Sequence, residues 1–363
     1  MRIGLIASHA WPLPSPARTG DSQIILDLSR SLAELGHEVT LFAPDGTIAP
    51  EGVRLARMPM CSKGQAEPST YQCEQACLDE YAVELAMLDV VHDCSVNKSV
   101  AEWCMKRMPT ISTLWGGHAP KHMLRNLVAQ SHAQRARLAM GLDDYMQEGG
   151  PGADCRVVWN GIDTEAYKPT GNPKQDFFLM FGRWHPVRGI VQAIELAKAT
   201  GINLLIAGED PERDHPYQAD YARQMCELAR GCDNIAIEFL PDDPDHHTRK
   251  VELYSDARGL LFMPQFEEPF GLPQIEAMAC GTPVIGVDRG SVREITAGTG
   301  SICPRQNDLV LAVCAWMQPQ SPAGQLAELE LCRKVAVDVF DCKVMAANYV
   351  KLYEEVASGG GWG

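Results

Sequence analysis

The chain has 363 residues, 45% of them hydrophobic, and a formal net charge of −15 at pH 7. That length exceeds what one hydrophobic core usually supports, so two domains are expected. The acidic balance argues against nucleic acid as the main partner, because backbone binding needs a dominant basic surface.

No apolar run reaches bilayer-spanning length, and Met1–Ser8 reads as a first buried strand rather than a signal peptide. The 13 cysteines include no Cys-x-x-Cys pair. They imply neither a zinc site nor a disulfide framework, which points to reduced thiols and a cytoplasmic protein.

Strand and helix alternate from end to end, the pattern of an α/β protein with parallel sheets wound on both faces. Arg2–Ala7 reads as a strand, Asp21–Leu35 as an amphipathic helix closed by Gly36, and Glu38–Ala43 as the next strand. Helical pattern covers Thr70–Met87, and strands follow at Asp89–His92, Thr110–Leu114 and Asn126–Ala129, with Ser131 starting a helix. The first half ends at Val157–Asp163, and Lys168–Gln175, with two prolines, one glycine, two lysines and no aliphatic residue, reads as an interdomain linker.

Alternation then restarts with strand Phe177–Phe181, helix Arg188–Thr200, strand Asn203–Ala207, helix Tyr217–Arg230, strand Asn234–Phe239 and helix His246–Tyr254. A helical tail runs to about Ala357. The expected domains are therefore 1–167 and 176–344.

Between Phe262 and Ile285 the sequence reads as a buried strand, a loop with Glu267 and Glu268, a short helix carrying Glu276 and ending at Gly281, and a second apolar strand. Two carboxylates separated by a strand-to-helix turn can face one crevice, each accepting hydrogen bonds from sugar hydroxyls. Between them the amides of Phe270, Gly271 and Leu272 open a helix, where free N–H groups and the dipole favour a phosphate. Phosphate and sugar hydroxyls together describe a nucleotide-sugar.

A second strand-to-helix loop, Phe181-Gly-Arg183-Trp-His-Pro-Val-Arg188-Gly189, places two arginines five residues apart, able to clamp a diphosphate with planar forks. The loop Pro12–Ser22 carries Gly20 ahead of a helix and lacks Gly-x-Gly-x-x-Gly, which counts against a dinucleotide-binding dehydrogenase.

Glu268-(seven residues)-Glu276, set in Glu-Pro-Phe-Gly-Leu and followed by Glu-Ala-Met-Ala-Cys-Gly-Thr-Pro-Val, is similar to the signature of retaining GT-B glycosyltransferases, nearest to glycosyltransferase family four. The resemblance covers Phe177–Glu294 well and the first domain loosely. It implies two Rossmann-like domains facing a central cleft, an acceptor-side domain first and a donor-binding domain second, with the last helix (345–357) crossing back onto the first.

It further implies transfer of a hexose from a UDP-, GDP- or dNDP-sugar with retention, without a metal or other cofactor. The acceptor would be a glycan, a lipid-linked saccharide or a small metabolite. Glu268 would contact the transferred sugar, Glu276 the ribose hydroxyls, Arg183 and Arg188 the diphosphate, and Gly20 the donor phosphate. Base recognition would come from backbone near Phe239-Leu240, where Pro241 replaces the usual glycine.

The chain departs from the family in several places. Arg188 stands where the family has lysine; Trp115 and Cys94 stand where histidines are common. His118 is the nearest histidine to the first of these and is read as catalytic, with His9 and His92 as further candidates. Asp243-Pro-Asp245 superficially matches a metal-binding Asp-x-Asp but reads as turn chemistry.

The segment Thr113–Leu142 has four Lys/Arg and no acidic residue. It is either a solvated face or a contact for an anionic acceptor or the inner face of a membrane. Two other classes share the donor-site reading: a nucleotide-sugar isomerase or hydrolase, and a non-catalytic nucleotide-sugar-binding protein.

Overall fold

The structure is a computed structural model that describes residues 1–14, 20–59, 69–115, 124–140, 154–212, 216–240, 243, 245–318 and 321–363. The chain divides into two compact units, Met1–Ile162 with Asp341–Gly363, and Asp163–Phe340.

The first unit runs β1 (Arg2–Ile6), α1 (Gly20–Glu34), β2 (Glu38–Pro44), β3 (Val53–Met58), α2 (Thr70–Leu85), β4 (Val90–Asp93), α3 (Ser99–Cys104), β5 (Thr110–Thr113), β6 (Leu127–Ala129), α4 (His132–Met140) and β7 (Arg156–Val157). Among the described residues the strands form one parallel sheet in the order β3-β2-β1-β4-β5-β6-β7. β4 is buried at every position, as expected of a parallel strand covered on both faces. β3, which the sequence reading passed over, is an edge strand whose Arg54 and Arg57 interrupt the apolar run.

The second unit runs β8 (Phe178–Phe181), α5 (Ile190–Thr200), β9 (Leu204–Glu209), α6 (Pro216–Ala229), β10 (Ile235–Leu240), α7 (His246–Asp256), β11 (Gly259–Phe262), α8 (Leu272–Ala279), β12 (Val284–Val287), α9 (Val292–Thr296), β13 (Ser301–Cys303), α10 (Leu309–Met317) and α11 (Pro322–Phe340). Its described strands are again parallel, ordered β10-β9-β8-β11-β12-β13. Chain order reverses between β8 and β11, which lie side by side. Open α/β sheets bind ligands outside the strand C-termini at such a switch point. The loops leaving β8 and β11 are those that carry Arg183, Arg188 and Glu268.

The final helix, α12 (Cys342–Ala357), belongs to the first unit and packs on α1. Asp341 caps it, its carboxylate accepting from the Lys343 N–H at 2.9 Å. The crossings between units therefore fall at 162/163 and 340/341, not at 168–175. The segment read as a linker is bound to the second unit instead. The Lys174 ammonium donates to the Ser255 carbonyl at 2.8 Å and to the Thr282 hydroxyl, and Gln175 Nε2 donates to Asp256 at 2.7 Å. The segment is largely exposed, yet these side-chain bonds tie it to the second unit. Tyr167, expected in the first domain, likewise lies in the second unit.

Candidate active site

The local sequence explains the loop after β11. Gly271 caps α8 with φ 86°, and a Cβ there would lie 2.4 Å from Gln274 Nε2 and 2.9 Å from the Phe262 ring. The left-handed residue turns the chain sharply into the helix, a conformation glycine adopts without strain. Gln274 Nε2 donates to the Phe270 carbonyl at 2.9 Å, and the Ser291 hydroxyl donates to the same carbonyl at 2.9 Å. Gly290 packs against the Glu268 backbone, where a Cβ would be 2.3 Å from the Glu268 carbonyl oxygen. The turn that presents Glu268 is thus fixed from both sides.

Glu268 is 6% exposed and accepts from Arg188 Nη1 at 3.0 Å. Burial raises its pKa, and the Arg188 charge, a bond from the Phe270 backbone and the Arg183 charge only partly offset that. Arg188 closes a short 3-10 turn, Pro186–Arg188, entered from His185, whose ring accepts the Val187 N–H. Its guanidinium lies 5.6 Å from the Phe266 ring, and its buried Nε has no hydrogen-bond partner among the described residues.

Gly189 follows at φ 81°; a Cβ there would stand 2.0 Å from the Met263 carbonyl oxygen. This close approach locks the Arg188 loop onto the loop after β11. Arg183 is exposed, and both arginines line a pocket with Phe181, Gly182 and Phe262. Arg183, Arg188 and Glu268 are therefore brought together.

Glu276 sits one turn inside α8, 6% exposed. Oε1 accepts from Lys250 Nζ at 2.8 Å and from the Tyr167 hydroxyl at 2.9 Å, while Oε2 accepts from the Tyr254 hydroxyl at 2.8 Å. Burial alone would raise the pKa of Glu276, but the Lys250 charge and the three donors outweigh it and hold the carboxyl below its usual range. The two glutamates thus differ. Glu268 shares one cation and is biased toward its proton, whereas Glu276 is held as a carboxylate. The sequence reading missed Lys250, Tyr167 and Tyr254; Lys250 and Tyr254, at i and i+4 on α7, were legible as one helix face.

The remaining expected site residues are less uniform. Of the three amides read as a phosphate cradle, that of Phe270 already bonds Glu268, and Pro273 in the first turn of α8 has no N–H. Gly271 and Leu272 retain the expected position at the helix entrance. Gly20 is the first residue of α1. His118 lies outside the described residues, as do Lys121, His122 and Pro241.

His92 is fully buried, Nδ1 2.8 Å from the Tyr353 hydroxyl and Nε2 2.7 Å from the Thr113 hydroxyl. Burial and the Lys98 charge bring its pKa down to about 3, so it is a neutral structural residue. His9 is buried too, with Nδ1 3.2 Å from the Pro59 carbonyl oxygen. Trp115 and Cys94, the two departures from the family pattern, lie near each other, and the buried Trp115 Nε1 has no hydrogen-bond partner among the described residues. Asp243 accepts from the Asp245 N–H at 3.0 Å, a turn bond, and no group of three metal-ligating residues occurs among the described residues.

An aromatic pair joins the loop after β8 to the end of β10. Trp184 donates to the Glu209 carbonyl at 2.8 Å and meets the half-exposed Phe239 edge-on at 5.0 Å. Beside it, His246 Nε2 lies 3.1 Å from the Glu209 carboxylate. No helix among the described residues is long and apolar enough to cross a membrane.

Comparison with known proteins agrees with this geometry. Residues 162–318 match the family model described as glycosyl transferases group 1. The chain is 26% identical over 352 residues to a protein of Mycobacterium marinum named D-inositol 3-phosphate glycosyltransferase, covering 82% of this chain and 74% of that one. The protein of the same name in Mycobacterium bovis is 28% identical, with 82% and 72% covered.

Among solved structures, AviGT4, a glycosyltransferase involved in avilamycin A biosynthesis, superposes with a TM-score of 0.72 at 22% identity, covering 100% of both chains. The sucrose-phosphate synthase of Thermosynechococcus elongatus gives 0.75 at 19%, covering 99% and 100%. Anabaena HepE, in complex with UDP and glucose, gives 0.70 at 14%, covering 98% and 99%.

Proposed function

We propose that this chain, a GT-B-fold protein with a glycosyl transferases group 1 domain at 162–318, transfers a hexose from a nucleoside-diphosphate sugar with retention of anomeric configuration. The observation that carries this reading is the meeting of Arg183, Arg188 and Glu268 at the switch point of the second sheet. Two cations beside a buried carboxyl, Arg188 held by Glu268 and Arg183 exposed at the pocket, suit a diphosphate next to a sugar. The UDP complex of Anabaena HepE supports a nucleoside diphosphate as the donor's leaving group.

Charge builds on the leaving diphosphate as the glycosidic bond breaks. Arg188, already oriented by Glu268 in a partly buried site, stabilises that charge with little reorganisation, and the exposed Arg183 adds a second charge. Glu268 orients the hexose by accepting hydrogen bonds from its hydroxyls. Attack on the same face as the departing phosphate is the route proposed, with Arg188 supporting the leaving group beside Glu268. The reading uses no metal. The names of the mycobacterial relatives support a small phosphorylated polyol among the acceptor classes, beside glycans and lipid-linked saccharides.

The test is titration of the protein with UDP-, GDP- and ADP-hexoses by calorimetry, on the wild type and on Arg188→Ala. One donor should bind with micromolar to sub-millimolar affinity and lose at least tenfold in the variant. Absence of binding by any of them at millimolar concentration contradicts the proposal.

A further inference from the structure

The last helix, α12, is fastened at both ends. At its start the Cys342 N–H donates to the Ile162 carbonyl at 2.8 Å, and the Asp341 carboxylate caps the first turn. At its end the chain turns back through three glycines. Gly359 takes the left-handed conformation, φ 87°, that commonly closes a helix. Gly360 passes so close to the Glu355 carbonyl oxygen, and Gly361 to Asn126 Oδ1, that a Cβ on either would stand 2.8 Å from that atom.

This turn delivers Trp362 to the start of β6. Its N–H donates to Asn126 Oδ1 at 2.9 Å, its carbonyl accepts from the Asn126 N–H at 2.9 Å, and its indole N–H donates to the Leu127 carbonyl at 2.8 Å. The ring is buried and lies 5.3 Å from the Arg156 guanidinium, which pairs with Glu355 at 3.0 Å. Asn126, at φ 56°, also donates from Nδ2 to the Thr110 carbonyl at 2.9 Å. The tail is thereby tied to the starts of both β5 and β6.

Between its two fastenings α12 sends two phenols to the strands. Tyr349 and Tyr353, one turn apart and both buried, place their hydroxyls 2.7 Å from Thr113 Oγ1 and 2.8 Å from His92 Nδ1. Thr113 ends β5, at the edge where open α/β sheets bind ligands, whereas Trp362 is held at the opposite edge. A slip of one residue moves a helical side chain about 1.5 Å along the axis and turns it by about 100°. That is far outside the tolerance of a hydrogen bond, so the register of α12 decides whether both bonds exist. We propose that residues 359–363 are a latch that sets this register, and that Trp362 is a positioning residue for the network of Tyr349, Thr113, His92 and Tyr353 at the other edge of the sheet.

The experiment is hydrogen exchange read by mass spectrometry on the full chain. It compares the wild type with Trp362→Ala, with Gly361→Ala, which leaves the indole intact but forces the tail off Asn126, and with Leu85→Ala. The last opens a cavity in the apolar cluster packed by α2 and controls for general destabilisation. Both latch variants should speed exchange across 349–357 by about tenfold or more relative to β1 and β4, while Leu85→Ala leaves that ratio unchanged. Histidine-selective NMR gives a second readout: both latch variants should shift the His92 ring signals as Tyr353→Phe does. Acceleration spread evenly over the first unit, or none, overturns the proposal, as do His92 signals that keep their wild-type positions in both latch variants. Should Trp362→Ala fail to fold, Trp362→Phe keeps a ring in the slot, removes the bond to Leu127 and is judged by the same two readouts.

Discussion

At the scale of single residues, the two glutamates show how environment assigns different tasks to the same side chain. Glu268 and Glu276 are equally buried, yet one is pushed toward its neutral form and the other held as a carboxylate. The difference lies in the count of donors, and no sequence motif records it. Arg188→Ala leaves Glu268 without its ion-pair partner. An orphaned buried charge costs about 3–5 kcal/mol, and the carboxyl escapes most of that cost by keeping its proton. The variant should fold, with donor turnover down by about 10²–10³ through loss of charge stabilisation on the leaving group. Arg188→Lys keeps the charge and should retain activity within about tenfold. Steady-state kcat/KM for donor consumption distinguishes the two; equal losses in both variants would argue that the fork of the guanidinium, not its charge, is what the site needs.

At the scale of elements, the site depends on how two strand-to-helix loops fit together. Gly189 has no room for a side chain against the Met263 carbonyl, whereas Gly201, at a similar φ of 73°, has nothing within 4 Å. Gly189→Ala must move the loop that carries Arg188; Gly201→Ala only strains a helix C-cap, at about 1 kcal/mol. Denaturant unfolding should show a loss of about 2–4 kcal/mol for the first, with weakened donor binding, and about 1 kcal/mol for the second, with binding intact. Similar losses in both would mean that the fit between the loops contributes little.

The same scale shows what the sequence made legible. Alternating strands and helices, the Glu268/Glu276 unit and the arginine loop were readable because each follows from apolar runs ended by turn residues. β3 was missed because charged residues on an edge strand hide its alternation. The linker was misplaced because the polar run 168–175 bonds to Ser255, Asp256 and Thr282, partners more than 80 residues away. Lys250 and Tyr254 were legible as one face of α7 but not as partners of Glu276, and Tyr167 was invisible for the same reason. Their role depends on a carboxylate that only the fold brings to them.

At the scale of the molecule, the buried polar network of the first unit governs behaviour in acid. His92 keeps its neutral form down to about pH 3, while in the unfolded chain it titrates near 6.5. Below pH 6.5 the unfolded state therefore binds a proton that the folded state refuses, so stability falls as pH falls, by roughly 1.4 kcal/mol per pH unit, until about pH 3. Above 6.5 the contribution to the pH slope vanishes. Denaturant midpoints measured between pH 4 and 8 should show this slope, and His92→Gln should flatten it at the cost of overall stability. An unchanged acid limb in the variant would place the acid sensitivity elsewhere. A nucleotide that binds as proposed should raise the melting temperature too, by an amount that grows with the logarithm of its concentration above Kd.

The central claim is sugar transfer with retention, and the most direct measurement is the anomeric configuration of the product. The protein is incubated with the nucleoside-diphosphate sugar that binds best and a panel of polyol phosphates, glycans and lipid-linked saccharides, and the anomeric proton coupling of the product is read by NMR. The account predicts a new glycoside with the anomeric configuration of the donor, formed with release of the nucleoside diphosphate. An inverted glycoside would contradict the mechanism. Free sugar or an isomerised donor as the sole product, with every acceptor left unmodified, would contradict the assignment as a transferase.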